Sequence, residues 1–370
     1  METKRLVALD VFRGMTIVFM ILVNTPGSWT HVYPYLLHAK WDGFMPPDFV
    51  FPFFLFIIGV SMSFSFAKYE GKLDASLSRK IIQRVIIIFL IGLMLNYFPF
   101  YNKSISDLRI MGVLQRIALA YGLAAFICVK VSDRHLWKVG IIMLLGYWVI
   151  LIQFGNENPL SLEGNITTAI DAYILGTSHM YKGFGIPFDP EGLLGTLSAA
   201  VSIITGFLIG KKIQQNKDRN LLVKNLLLIG LITVSVGLLW GLVYPINKPI
   251  WSGSYVIFTT GVACIVLGFL IEFIDIRKHD SWIKPFLIFG INPMAIFVFS
   301  ILLVKVLIYV IKWKEEEKII TGYGWLYQNI FVVLSPNNLK FASLFFAIST
   351  VILCWILGLY LYKKKIIIKI

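Results

Sequence analysis

Charge is what this chain has least of. Only 15% of its 370 residues are Asp, Glu, Lys or Arg, against 58% hydrophobic, and the mean hydropathy is +0.78. A soluble domain carries roughly 25% charged residues, so a water-soluble globule is excluded. Cysteine is scarce too. Cys128, Cys264 and Cys354 lie inside apolar runs, match no metal-ligand spacing and frame no disulfide scaffold; they read as small buried hydrophobes. Acidic residues number 20 against 34 Lys and Arg, a balance of +14. That excess does not point to nucleic acid, because the basic residues gather on no face and in no tract. They punctuate apolar segments instead, which is how membrane topology is written. No hydrophilic stretch is long enough for a separate soluble domain, and neither low-complexity tracts nor 20–50-residue repeats are evident. One membrane domain over residues 1–370 is expected. A cleavable signal peptide is also missing. The first apolar run carries Asp10 and Arg13, no A-x-A site follows, and it reads as a retained helix.

What is present is a series of apolar runs of ~20 residues, each long enough to span a bilayer core. They fall at about 6–24, 48–66, 81–98, 111–129, 136–152, 191–210, 221–244, 252–274, 285–311 and 341–362. The ninth is long, and 325–334 reads as a short re-entrant or surface segment. The fold class expected is all-α, a polytopic helical membrane protein of about ten transmembrane helices. With the N-terminus placed in the cytoplasm, 22 Lys and Arg fall on that side, 9 on the other and 3 within spans. The bias puts both termini in the cytoplasm of a cell inner (plasma) membrane. The longest outside segment, 153–190, holds Gly, Pro, Asn and Thr and reads as an ordered loop.

Ionisable residues inside spans are costly and mark a function or a buried pair. Two groups stand out. The inner group is Asp10 and Arg13 on the first helix with Asn292 on the ninth. Asp10 and Arg13 share a helix face and read either as an intrahelical ion pair or as a site where Arg13 takes a phosphate arriving from the cytoplasm. Asn292-Pro293 is expected to kink the ninth helix. The outer group is richer. Asn24–Pro47 contains His31, His38, Lys40, Trp41 and Asp42, and Asp48 opens the second helix as a plausible N-cap. Gln115 and Arg116 lie just inside the outer end of the fourth helix, at a depth where Arg116 would reach Asp48. Asp189 and Glu191 open the sixth helix from the same side. Asn247, Lys248, Trp251, Ser252 and Ser254 occupy the outside turn between the seventh and eighth. Four segments thus bring polar residues to one membrane face, which fits an enzyme or a transporter equally. Among five histidines, His38 sits in a dense aromatic and glycine setting, and an imidazole suits general-base work near neutral pH.

Several blocks resemble the heparan-alpha-glucosaminide N-acetyltransferase family. They are Arg-Leu-Val-Ala-Leu-Asp-Val-Phe-Arg-Gly at 5–14, His-Ala-Lys-Trp-Asp-Gly at 38–43, Asp-Phe-Val-Phe-Pro at 48–52 and Gly-Val-Leu-Gln-Arg at 112–116. Asp-Pro-Glu-Gly-Leu-Leu-Gly-Thr at 189–196, Pro-Ile-Asn-Lys-Pro-Ile-Trp-Ser at 245–252 and the closing Lys-Lys-Lys-Ile-Ile-Ile-Lys-Ile complete the set, in order along the whole chain. The resemblance implies transfer of acetyl from cytoplasmic acetyl-CoA to an amino sugar across the membrane. It implies that His38 is the catalytic residue and that Asn24 matches the family's asparagine at the end of the first membrane helix. No counterpart of the lumenal N-terminal domain of the animal members is expected. A compact bacterial relative acting on a periplasmic amino sugar or glycan fragment is therefore expected.

A mechanism follows as an expectation. Arg13, with Asp10 and Asn292, meets the CoA nucleotide on the inner side. His38 deprotonates the acceptor amine, or takes the acetyl group first and passes it on. Asn24 donates to the oxyanion. Asp48 and Arg116 pair and orient the site or bind sugar hydroxyls, with Gln115 beside them. Asp189 and Glu191 hold acceptor hydroxyls or the ammonium, and Trp41 or Trp251 stacks on a sugar ring. No metal is expected. The partners implied are acetyl-CoA, the amino-sugar or glycan acceptor and membrane lipid, with no nucleic acid. A homodimer is compatible with the pattern, although no small-xxx-small motif marks an interface. An O-acyltransferase acting on a polysaccharide, a secondary transporter for a sugar-like solute and a non-catalytic scaffold are the competing readings.

Overall fold

A computed structural model describes residues 6–69, 73–101 and 104–368. Lys4, Arg5, Lys72, Lys103, Lys369 and Ile370, counted above for topology or motif, lie outside the described residues. Among the described residues ten helices are long and apolar enough to cross a bilayer, as the hydropathy pattern predicts. They include α1 (Val7–Asn24), α2 (Val50–Phe66), α3 (Ala75–Tyr97), α4 (Val113–Lys130), α5 (Asp133–Phe154), α7 (Gly195–Gln215), α8 (Arg219–Trp240) and α9 (Gly253–Leu270). The ninth span breaks where Asn292-Pro293 predicts. Helix α10 (Lys284–Ile291) ends there, and α11 (Pro293–Lys305) restarts with proline in its first turn, where no N–H is required. The tenth is α13 (Leu339–Lys363). Asp74, Asp218, Ser252 and Asn338 cap α3, α8, α9 and α13 through side-chain oxygens, satisfying backbone N–H groups that lipid cannot.

Two details depart from the sequence reading. The 153–190 segment is not all loop; it contains α6 (Ile166–Leu175), capped by Asn165. Residues 312–321 form an antiparallel hairpin of β1 (Lys312–Glu315) and β2 (Lys318–Thr321), followed by the short helix α12 (Gly322–Leu326), so the fold is all-α apart from this turn-like ribbon.

Helices α1, α2, α4, α7 and α9 form the buried interior, and α3, α5, α8, α11 and α13 lie at the periphery with most of their surface turned outward. The tightest seams are α8 against α9 and α2 against α7. Along the latter, a Cβ on Gly59 would strike the carbonyl of Ile203, and one on Gly206 would strike that of Phe56. Gly206 and Gly210 are four residues apart. A small-xxx-small stripe therefore does exist, and it serves contact between two helices of one chain, letting the backbones touch where no hydrophobic effect drives them together. Chain ends gather on one face: the tail carbonyl of Ile366 accepts from Asn292 at 2.9 Å, and Ala8 N–H donates to Asp275 at 3.2 Å beside it. We call this the terminal face and its opposite the loop face.

Replacing Gly206 by Leu is expected to cost about 1–3 kcal/mol or more by overpacking. The melting temperature in detergent should fall by several degrees, while Gly146→Leu, at a position with nothing within 4 Å, should leave it unchanged. Equal melting of both variants would refute this account of the seam.

Candidate active site

On the loop face, the site is assembled around Asp48. Proline at 46 and 47 starts a one-turn 3-10 helix, Pro46–Phe49, that leads into α2. Asp48 is its third residue, not the cap of α2 as the sequence reading has it. Its Oδ2 accepts the N–H groups of Met45 (2.9 Å) and Ala39 (3.1 Å), closing the 39–48 loop on itself. Its Oδ1 lies 2.6 Å from His38 Nδ1 and 3.3 Å from Lys248 Nζ. The side chain of Asp48 is 1% exposed and that of His38 is 42% exposed. A contact this short between imidazole nitrogen and carboxylate is attractive only with the proton on Nδ1, donated to Asp48. The Nε2 lone pair is then left for chemistry.

Lys248 reaches this point because its turn is pinned. Asn247 donates to Asp42 (3.1 Å) and accepts from Ile250 N–H (2.9 Å), Gly43 N–H donates to the Ile246 carbonyl (2.8 Å), and Ser252 caps α9. The Lys248 ammonium is also 3.0 Å from His38 Nδ1. Burial pulls this ammonium below its usual range, while Asp48 and Glu191 work the other way. The expected partner of Asp48 was Arg116. The structure corrects this: Arg116 is buried, donates to the Gly192 carbonyl at 3.0 Å and lies 5.2 Å over the Trp251 ring. Lys248 takes its place because a loop can reach the carboxylate that a helix residue pointing into the bundle does not.

Asp189 and Glu191 are also committed elsewhere. Arg109 binds Asp189 through Nε (2.9 Å) and Nη2 (2.7 Å), and Glu191 through Nη2 (2.6 Å), with Tyr181 4.6 Å beneath its guanidinium. The two carboxylates hold the Arg109 guanidinium above its usual range against the opposing effect of burial. These residues form a clamp joining the 98–112 and 155–194 connections, and neither carboxylate is left facing solvent for a sugar; their side chains are 0% and 13% exposed. Gln115 donates to the Ile110 carbonyl (2.9 Å) and is 1% exposed, so it braces the start of α4. Trp251 is 1% exposed, packed on Phe51 and Tyr255, and has no face for a sugar. Trp41 is half-buried against Phe184 and Phe188, its indole N–H donating to Leu160. Asn24 is exposed at the loop-face end of α1 and donates to the Met20 carbonyl (2.8 Å).

The terminal face opens into a cavity of ≈ 780 Å³, within the size range of cofactor pockets. Arg13 lines it and bonds Asp10 (3.2 Å), Ser61 (2.7 Å) and the Gly290 carbonyl (3.1 Å). Lys68, Lys80 and Arg84 line one end of it, and no acidic residue does so among the described residues. The cavity follows α2 and the turn after it from Lys68 down to Phe54, with Ile117 of α4 also in its lining. At 1.5 Å per residue that is a run of about 21 Å. Asn292 is buried, and both ends of its amide are used by the tail, donating to Ile366 and accepting from Ile368 (2.9 Å each). It therefore fixes a wall of the cavity, which Ile367 and Ile368 line, in place of binding a ligand directly. The sequence reading gave no site role to Lys68, Lys80, Arg84 or Arg109, and it placed Lys248 on the outside turn without a role. Lys248 lies within the Pro245–Ser252 block, and Arg109 stands three residues before Gly112; neither position alone shows its partner.

Comparison with known proteins agrees with the motifs. Residues 5–172 match the family model described as heparan-alpha-glucosaminide N-acetyltransferase, catalytic. The heparan-alpha-glucosaminide N-acetyltransferases of Mus musculus and Homo sapiens are each 28% identical over 80% of this chain. The chain spans about half the length of these relatives, 53% and 52% respectively. The family resemblance read from the sequence blocks is borne out. The matched stretch contains Arg13, Asn24, His38, Asp48 and Arg116, and it stops before Asp189, Lys248 and Asn292.

Asp171, on α6, lies at the edge of that stretch and behind the clamp. Its Oδ1 accepts Leu193 N–H at 2.9 Å, and Oδ2 is buried with no hydrogen-bond partner among the described residues. Burial pushes its carboxyl up to about 6 from 3.8. The fold thus favours the protonated acid, a contribution that is complete below pH 3.8 and lost as pH rises through about 6. A shift of this size corresponds to about 3 kcal/mol. Asp171→Asn should melt higher than the wild type at neutral pH, and the gap should close as pH falls below 5; a gap constant with pH would refute the assignment.

Proposed function

We propose that this relative of the heparan-alpha-glucosaminide N-acetyltransferases is a transmembrane N-acetyltransferase. It moves acetyl from acetyl-CoA on the terminal face, read as cytoplasmic, to the amine of a glucosamine-like sugar on the loop face. The observation that carries this reading is the basic cavity. Its cationic end and its apolar remainder match the two halves of an acyl-CoA, a polyanionic nucleotide and a long neutral arm. Its lining reaches Phe54, one helical turn past the start of α2, and Asp48 stands just before that start.

In this reading Arg13, Lys68, Lys80 and Arg84 hold phosphate oxygens, Arg13 being kept in place by Asp10 and Ser61. His38 Nε2 takes the proton as the acceptor nitrogen bonds to the thioester carbonyl carbon. The C–S bond then breaks, and the imidazolium returns the proton to the departing thiolate. Asp48 holds Nδ1–H throughout and stabilises the imidazolium that forms. Asn24 is the proposed donor to the oxyanion, and Trp41 the aromatic face nearest the acceptor side. The same residues serve an acetyl-histidine route; a labelled acetyl group trapped on His38 without acceptor would single it out.

The test is N-acetyl product from labelled acetyl-CoA and glucosamine, with the purified protein in detergent. His38→Ala, folded by its melting transition, should lose roughly 10²–10⁴-fold in rate, and Lys80→Met with Arg84→Met should raise the acetyl-CoA KM with little change in kcat. Acetyl-CoA bound without product would move the acceptor to another class, such as a polysaccharide hydroxyl. No binding of acetyl-CoA would overturn the reading in favour of transport.

A further inference from the structure

Two cationic or potentially cationic groups converge on one carboxylate oxygen. His38 Nδ1 stands 2.6 Å from Asp48 Oδ1 and Lys248 Nζ 3.3 Å from it, and the two nitrogens are 3.0 Å apart. An opposite charge in contact favours the charged form, so a lone buried carboxylate favours the imidazolium over the neutral ring. A protonated histidine is no base. The arrangement at Asp48 answers this problem, because the carboxylate already carries a neutralising charge.

We propose that Lys248 is a positioning residue for His38: its ammonium shares the Asp48 carboxylate with the imidazole and keeps His38 neutral, with its Nε2 lone pair available, at neutral pH. This rests on the functional reading above for what the lone pair does, but not for its existence. The charged groups that face the pair come from each surrounding element. Asp48 stands at the entry to α2, Lys248 on the 241–252 turn, and Glu191, held on Arg109, beyond Lys248. Asp42 is turned onto Asn247, Lys40 is exposed on the same loop, and the Tyr255 hydroxyl is spent on the Asp48 carbonyl. Only Lys248 brings positive charge into contact with Nδ1 among the described residues. The position is built for it: the Asn247 pins described above hold the turn without using the ammonium.

The test reads His38 directly. In the full-length protein, carbethoxylation of His38 by diethyl pyrocarbonate, followed by mass spectrometry of its peptide across pH, reports the neutral imidazole without any enzymatic assay. In Lys248→Gln the midpoint should rise by about one pH unit or more, and in Lys248→Arg it should stay near that of the wild type. The acid limb of kcat/KM for N-acetyl transfer should move with it. The deficit should therefore be roughly tenfold near pH ~6.5 and close by pH ~9. Melting transitions establish that the variants are folded, and Lys248→Met substitutes for the Gln variant if that one is not. An unmoved midpoint, with activity reduced equally at all pH values, would overturn the proposal and leave Lys248 a structural tie. A displaced midpoint in a wild-type protein that forms no N-acetyl product would support the role of Lys248 and overturn the functional reading alone.

Discussion

A single buried carboxylate organises the loop face. Asp48 accepts two backbone N–H groups from its own loop, one imidazole N–H and one ammonium, so all its lone-pair directions are used. An unpaired carboxylate at this depth would be expensive. Here it is the point at which the 25–49 loop, α2 and the 241–252 turn meet. Removing it would release three segments at once, leaving a half-buried ammonium and two backbone donors without their carboxylate. The same carboxylate fixes which nitrogen of His38 carries the proton, so one interaction serves both architecture and chemistry.

The second constraint is the bilayer. With no water in its core, every backbone group in a span must be satisfied within the helix or by protein. The break at Asn292-Pro293 is tolerated because Asn292 spends its amide on the tail and Gly290 gives its carbonyl to Arg13. That break also lets the tail fold back to line the basic cavity. Polar side chains are thus paired on two levels, at the terminal face around Arg13 and at the loop face around Asp48 and Arg109, with the cavity reaching along α2 from the first as far as Phe54.

Much of this was legible in the sequence. The ten crossings, the kink at Asn292-Pro293 and the gathering of polar residues on one face follow from hydropathy and local chemistry, which act over one helix at a time. The pairing of His38 with Asp48 was not read from the sequence, which set Arg116 against Asp48, although the two residues share one short loop. What was not legible was rotation. Arg116 stands at the right depth to meet Asp48, but the face of α4 that carries it turns toward Gly192 and Trp251. Asp189 and Glu191 look available for a sugar until Arg109, from a segment eighty residues earlier, is brought over them. Lys248 reaches the centre only because Asn247 binds Asp42. Each of these depends on contacts between distant segments that no local pattern encodes. The hairpin at 312–321 likewise rests on cross-strand pairing in a stretch with a weak strand signal.

The seam between α2 and α7 has a mechanical consequence. Its backbones touch at Gly59 and Gly206 with no side chains to compress between them, so the α2 wall of the cavity is stiff. The opposite wall is α3, which packs chiefly on α4 and turns most of its surface outward to the acyl chains. One wall of the cavity is therefore keyed into protein and the other leans on lipid. The width of the passage is held on one side by backbone-to-backbone contact between two buried helices and on the other by a helix with few protein neighbours.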